Sequence, residues 1–263
     1  MAQWDAERAE RWMRDQAQRS EVYGTATEKM LELAEIRTAD RVLDVAAGAG
    51  DQTLLAARLV GPSGYVLATD ISSDMLSIAA EMVRGAGLTN VDTRVMDGEN
   101  VDLDADSFDA VICRLGLMLF NDPAKALRSM RRVVKPGGKV AVLLFSAVEK
   151  NPYEGIPRTV AHRRGRHMPR VFVLGEQRLV EDAFRNGGFS KVSVHTVATH
   201  RRFSSSTEAV KALQDDFHGS AITQLPNSEH EDAWRDVEQQ LRGFEGPNGC
   251  DLPGELLIGV GTK

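Results

Sequence analysis

The chain has 263 residues, 27% of them charged, with a formal net charge of −6 and a pI near 5.6. That length suits one large α/β domain, or one domain with a cap, and can bury a sizeable core. The acidic balance argues against general affinity for nucleic acid, and two isolated cysteines, Cys113 and Cys250, make neither a disulfide framework nor a zinc site.

The N-terminal stretch Met1–Arg8 is charged and lacks an apolar core, and no run of about 18 apolar residues occurs anywhere. Neither a secretory leader nor a membrane span is expected, no metal is called for, and a reducing, cytoplasmic setting is the natural reading. Residues 1–36 are helical in character. Ala6–Gln18 is rich in Ala, Glu, Arg and Gln, Thr27–Ile36 repeats apolar residues at the helical period, and the pieces meet at Tyr23-Gly24. Trp4 and Trp12 fall on roughly one helical face, suited to docking. Strands then alternate with amphipathic helices, as in a parallel sheet covered on both faces. Arg41–Ala46 reads as the first strand, Asp51–Val60 as the first crossover helix and Tyr65–Thr69 as the second strand. A helix capped by Ser72 or Ser73 runs to Arg84, and Val91–Val95 and Phe108–Cys113 are the third and fourth strands. Asp122-Pro123 is an N-cap and N1 pair for a helix ending near Val134. Lys135-Pro136-Gly137-Gly138 is turn chemistry leading into a fifth strand, Lys139–Phe145.

Beyond Phe145 the pattern changes. Residues 146–175 show no clear period and read as an inserted cap. Glu176–Asn186 is helical, Lys191–Ala198 alternates like a strand, Thr207–Phe217 and Glu231–Leu241 are helices of a second insertion, and Glu255–Gly261 is a short final strand. The expected organisation is a single domain. It has an N-terminal helical cap over 1–36, a cofactor-binding core over 37–145 and substrate-cap insertions over 146–175 and 203–245.

The most telling stretch is Val42-Leu43-Asp44-Val45-Ala46-Ala47-Gly48-Ala49-Gly50-Asp51: a buried strand, a tight loop of small residues, then a helix. Asp70 ends the next strand, twenty residues beyond Gly50. Such a loop lets backbone approach a ligand, the helix start offers free N–H groups, and a carboxylate on the second strand accepts ribose hydroxyls.

Together with Asp74-Met75-Leu76, Met96-Asp97-Gly98-Glu99, Phe108-Asp109-Ala110-Val111 and Arg131–Gly138, this loop resembles, in order and spacing, the class I (Rossmann-like) S-adenosylmethionine-dependent methyltransferases. Its flavour is that of the ubiquinone and menaquinone biosynthesis group. The resemblance implies an α/β fold: a Rossmann-like, seven-stranded, mostly parallel sheet whose last strand is antiparallel, flanked by helices on both faces. It also implies S-adenosyl-L-methionine as cofactor. Asp44, Gly48 and Gly50 would then hold the methionine end and ribose. Asp70 would take the ribose diol, Ile71 and Met75 would pack on adenine, and Asp97 and Gly98 would meet the adenine amino group. Arg114 and Leu115 would line the transfer site. Met75 also fits plain core packing, and Arg114 a structural ion pair. Ala46 stands where the family usually has glycine, which predicts a slightly altered loop.

Methyl transfer from a sulfonium needs orientation and shielding, and a base only for a nucleophile of high pKa. Titratable candidates on the caps are Tyr23, Tyr153, His162, His167 and His218, of which Tyr23, His162 and His167 are carried forward as catalytic candidates. The cluster His162-Arg163-Arg164-Gly165-Arg166-His167 reads either as a solvated loop or as a clamp for an acidic substrate. No Asp/Asn-Pro-Pro-Tyr/Phe follows the fourth strand, which favours a small-molecule acceptor over nucleic acid. A homodimer is allowed for. Two rivals remain. An NAD(P)-dependent oxidoreductase is disfavoured by Thr53 at the third glycine position and by Asp51 where a pyrophosphate would sit. A non-catalytic or cyclase relative of the fold is the other.

Overall fold

The computed structural model describes Met13 and residues 16–167 and 170–263; Trp4 and Trp12 lie outside them. Helix α1 (Gln16–Leu33) is one uninterrupted helix through Gly24, and it buries Val22, Tyr23, Ala26, Met30 and Leu31 in the main core. Then follow β1 (Arg41–Val45), α2 (Asp51–Val60), β2 (Tyr65–Asp70), α3 (Ser73–Gly85), β3 (Val91–Val95) and β4 (Phe108–Arg114). A 3-10 turn, Leu117–Leu119, leads to α4 (Pro123–Val133) and β5 (Val134–Phe145). Ser72 caps α3 by accepting from the Met75 amide, and Asp122 caps α4 by accepting from Lys125 with Pro123 in its first turn.

The sheet has eight strands in the order β3-β2-β1-β4-β5-β8-β6, with the two-residue β7 (Glu245–Gly246) pairing β8 off that path. Pairs within β1–β5 are parallel, and β8 (Gly249–Thr262) runs antiparallel to both β5 and β6 (Lys191–Phe203). The sheet is therefore the expected one, with one very short strand added. The chain reverses direction of winding between β1 and β4. At such a switch point the carboxyl ends of two adjacent strands open a crevice.

The last third departs from sequence periodicity. β6 and β8 are longer than expected, because they keep pairing past the end of β5, from Ala198↔Glu255 to Phe203↔Cys250. Pro253 and Gly254 mask this ribbon in sequence. Pro253 is tolerated there because β8 has lost its β5 neighbour, so a missing N–H breaks no ladder on that edge. β5 starts at Val134 rather than Lys139: Val134 pairs with Phe108, and Lys135–Gly138 forms an irregularity inside the strand, with Gly137 at φ 81°. Residues 146–175, which show no period, contain α5 (Pro152–Arg163), with Pro157 inside it. α6 (Gln177–Asn186) covers β6 and β8.

Above the carboxyl edge of the sheet, α5 packs with α7 (Ser206–Asp215), α8 (Ser220–Thr223), α9 (Asn227–Leu241) and the start of β8 around a second core of Tyr153, Val160, Leu213, Ile222, Val237 and Leu252. No described helix is long and apolar enough to cross a membrane.

Candidate active site

The crevice is walled first by the β1–α2 loop. Ala46, Gly48 and Gly50 all take positive φ, at 55°, 57° and 87°. Alanine in this region costs roughly 1 kcal/mol; the loop keeps a glycine-like turn and carries the strain instead of changing shape. Space for the alanine methyl comes from Gly116, where a Cβ would lie 2.5 Å from that of Ala46. Leu115, just past β4, is a second non-glycine residue of this edge held at positive φ (55°). Strained backbone of this kind clusters at ligand sites.

Asp70 closes the loop from β2. Its Oδ2 accepts from the Gly48 amide and its Oδ1 from the Ser72 amide, both at 2.9 Å. The carboxyl is 8% exposed, and burial raises its pKa despite those donors. Each oxygen retains a lone pair for an incoming hydroxyl. Ile71 beside it is 49% exposed, an apolar face turned outward. Met96 donates its amide to the Asp70 carbonyl, bringing Asp97 and Gly98 alongside. Asp97 accepts from the Glu99 amide and the Asn100 side chain, which fixes the loop. Gly98 allows close approach, since a Cβ there would lie 2.5 Å from Phe120.

Other expected contacts lie deeper. Asp44 is fully buried beneath the loop and accepts from Gln52 Nε2 at 3.0 Å and Thr53 Oγ1 at 2.6 Å. Burial pushes its pKa up to about 7 against these donors. Asp44 thus shapes the wall and offers no exposed surface to a ligand. Met75 is 2% exposed and packs with Ala49, Met13, Ile78 and Met82, the core-packing alternative. Arg114 is buried and donates to Asp51 Oδ2 at 3.2 Å and Gln52 Oε1 at 3.3 Å, so an ion pair holds it in place. Asp51 also receives Gln16 and Arg19 from α1. The carboxylate at the start of α2 is therefore neutralised by two guanidiniums, which weakens charge repulsion as an argument against a pyrophosphate.

On the cap side a buried polar cluster faces the same crevice. The Tyr23 hydroxyl donates to Glu154 Oε1 at 2.7 Å and accepts from Arg201 Nη2 at 2.7 Å, while Arg201 pairs with Glu154 at 3.2 Å. Tyr153 donates to Asp216 Oδ2 at 2.7 Å, and Arg158 approaches His218 Nδ1 at 3.3 Å. The Tyr23 ring bridges the two halves. Arg114, on the loop side, lies 6.0 Å from its centroid, and Arg201, on the cap side, 5.2 Å. Phe145, ending β5, packs edge-on against both Tyr23 and His218.

Tyr23 is thus brought to the crevice but is a poor base. Burial, ahead of the opposing pull of Arg201, pushes its pKa far up, and its proton is held by Glu154. His162 and His167 are not brought there. Both are exposed at the far end of α5, His162 in its last turn, about 12 Å along the helix from Glu154, and His167 beyond it. His162 binds the Arg166 carbonyl, Arg164 pairs with Asp236, and Arg166 reaches Gln224, so the basic cluster ties the cap together. Sequence reasoning missed Glu154, Arg158, Arg201 and Asp216. The first two sit in a helix without visible period, and Arg201 in the masked end of β6. Only the bulk polarity of that stretch marked it.

The donor set fits S-adenosylmethionine. Asp70 offers lone pairs to a diol, Ile71 an apolar face to a base, and Asp51 and Arg114 opposite charges to an amino-acid end. Residues 22–161, just over half of the chain, match the ubiE/COQ5 methyltransferase family. A ubiquinone/menaquinone biosynthesis C-methyltransferase, UbiE, from Pasteurella multocida is 41% identical over 127 residues, 48% of this chain and 47% of that relative. The chain spans about half the length of the curated relatives it matches. An Aquifex aeolicus SAM-dependent methyltransferase superposes with TM-score 0.58 at 23% identity, covering 75% of this chain and 94% of that one. The [4+2]-cyclase SpnF does so with TM-score 0.57 at 17%, covering 90% and 80%. Identities this low show the fold alone, and one fold carries both chemistries. The sequence match shows the family: the chain belongs to the ubiE/COQ5 methyltransferase family, whose cofactor is S-adenosylmethionine.

Proposed function

We propose that this protein transfers the methyl group of S-adenosylmethionine to a small-molecule acceptor held between the carboxyl edge of the sheet and the helical cap. The observation that carries this reading is Asp70. It is a buried carboxylate fixed by the Gly48 and Ser72 amides, with spare lone pairs, next to the outward-facing Ile71. In this placement Asp70 holds the ribose hydroxyls, and Ile71, Asp97 and Gly98 flank the adenine. Gly48, Gly50, Arg114 and Leu115 surround the methionine end.

When bound, the cofactor supplies a methyl already activated on a sulfonium, so the protein's own work is to orient and to exclude water. Helix α1 serves the second task, since Gln16 and Arg19 close over Asp51 and Tyr23 reaches the cap. An acceptor of small-molecule size is supported by the cap, which presents a buried polar cluster to the crevice and keeps its basic loop outside.

Calorimetric titration with S-adenosylmethionine, S-adenosylhomocysteine and NADH tests the reading. Micromolar binding of the first two without the third is the expected result. Binding of NADH alone would overturn it.

A further inference from the structure

The sheet ends on two edge strands, β3 and β6, and they differ in what they offer a neighbour. β3 reads Val91-Asp92-Thr93-Arg94-Val95, and its last four residues are exposed. The Asn90 carbonyl accepts from the Val66 amide, and the Met96 amide donates to the Asp70 carbonyl. Even-numbered residues of this strand therefore turn their backbone groups to β2. By strand alternation Val91, Thr93 and Val95 turn theirs outward. These outward N–H and C=O groups have no partner among the described residues. Such a row is a template for a further strand.

The side chains say which strand fits, because the segment complements itself when run in the opposite direction. With Thr93 set opposite Thr93 of an antiparallel second copy, Val91 faces Val95 and Asp92 faces Arg94. The Thr93 pair and the Val91–Val95 pairs then exchange both backbone hydrogen bonds, outward groups meeting outward groups. The Asp92–Arg94 pairs fall between them, at the closer Cα spacing of about 4.5 Å, with both side chains on one face. Within one copy this charge pair is not made. Arg94 forms no hydrogen bond or ion pair among the described residues, and Asp92 accepts on Oδ2 alone, from the Tyr65 hydroxyl at 3.0 Å. Val95, at 58%, is the most exposed large apolar side chain described. Opposite residues share a face, so Val95 of the second copy arrives beside the groove that Val83, Leu88 and Val91 line between α3 and β3. β6, by contrast, carries Lys191, Arg201 and Arg202 and no acidic residue, so a second copy there would meet like charge.

We propose that β3 is a self-recognition edge: two copies of this chain join antiparallel about a two-fold axis through Thr93, and their sheets become one. The contact is isologous, each Asp92 meeting Arg94 of the other copy. A ladder of five residues per copy is small, which places the homodimer among weak, dilution-sensitive assemblies. The inference uses neither the cofactor placement nor the cap.

The test is sedimentation velocity on the full chain. Over roughly 1–100 μM the wild type should show a reversible monomer–dimer equilibrium. Two charge variants decide the geometry. Arg94→Asp sets aspartate opposite aspartate, and Asp92→Arg sets arginine opposite arginine, so each alone should dimerise at least about tenfold more weakly. Mixed in equal amounts they complement each other at both positions, and their heterodimer should return to within about threefold of wild-type affinity. Recovery on mixing also excludes misfolding as the cause of weakening in either variant. Thr93→Pro removes the central outward donor without breaking a bond to β2, and it should be monomeric throughout. A wild type that stays monomeric over this range leaves β3 to a different partner and overturns the proposal. So does a dimer that survives Thr93→Pro or both charge variants, or a mixture of folded variants that fails to recover. The wild type and Thr93→Pro decide the question where a charge variant fails to fold.

Discussion

The glycine loop and the cap face each other across one crevice, yet they are built from opposite kinds of contact. In the loop, partners are near in sequence: Gln52 and Thr53 reach Asp44 across 8 and 9 residues, and the Gly48 amide reaches Asp70 across 22. In the cap they are far apart. Tyr23 and Arg201 are separated by 178 residues, Tyr23 and Glu154 by 131, Tyr153 and Asp216 by 63, and Arg158 and His218 by 60. A locally built site is largely ordered by its own strand–loop–helix unit. One assembled from four distant segments exists only when the whole fold does, and each member leaves a buried partner stranded when removed.

That contrast can be broken by mutation. The largest effect is expected in the cap. Arg201→Ala leaves the Glu154 carboxylate buried without its cation and should destabilise the protein by about 3–5 kcal/mol, read from urea unfolding. A loss under about 1 kcal/mol would mean that the cluster is only loosely coupled.

Next comes a pH effect inside the loop. Asp44 titrates near 7 in the folded protein, against about 3.9 for an unfolded aspartate. Between those values the native state holds the extra proton, so stability falls as pH rises through this window and levels off above it. Unfolding followed from pH 5 to 8 should show a fall of a few kcal/mol that is flatter in Asp44→Asn. Parallel curves would show that the carboxyl is ionised throughout.

Asp70→Ala should cost about 1–3 kcal/mol of stability, because the Gly48 and Ser72 amides lose their acceptor, and weaken S-adenosylmethionine binding by about 2 kcal/mol, through loss of a charged acceptor for two hydroxyls. Unchanged affinity by calorimetry would remove Asp70 from the cofactor pocket. The smallest effect belongs to Ala46→Gly, where relief of left-handed strain and the added freedom of the unfolded chain nearly cancel. A stability change within about 1 kcal/mol is expected. A larger loss would show that the methyl packed over Gly116 matters more than the strain.

How much was legible follows the same division. The first four strands, the Asp122 cap and the Asp70 position read directly from the sequence, and the α3 cap narrows to Ser72 or Ser73, because periodicity, caps and turn residues act over a few positions. Ala46 is instructive in between. Its identity predicts an altered turn, but the structure keeps the glycine-like φ because Gly116, seventy residues on, leaves room for the methyl. The basic run His162–His167 drew attention by composition and proved to be cap scaffolding, while Glu154 and Arg201, unremarkable in sequence, carry the buried charge.

By itself, then, the sequence determined the parallel α/β core and the small-residue loop followed by Asp70, since these depend on short-range pattern, and its family resemblance implied the cofactor. Tertiary structure alone decided what stands opposite that loop. β6 and β8 extend past β5 and carry Arg201, α5 brings Glu154 to pair with it, and α1 delivers the Tyr23 hydroxyl that bonds to both. The physical reason is that a buried ion pair is specified by where two desolvated groups meet in space, and no local pattern records which distant segment will supply the second one.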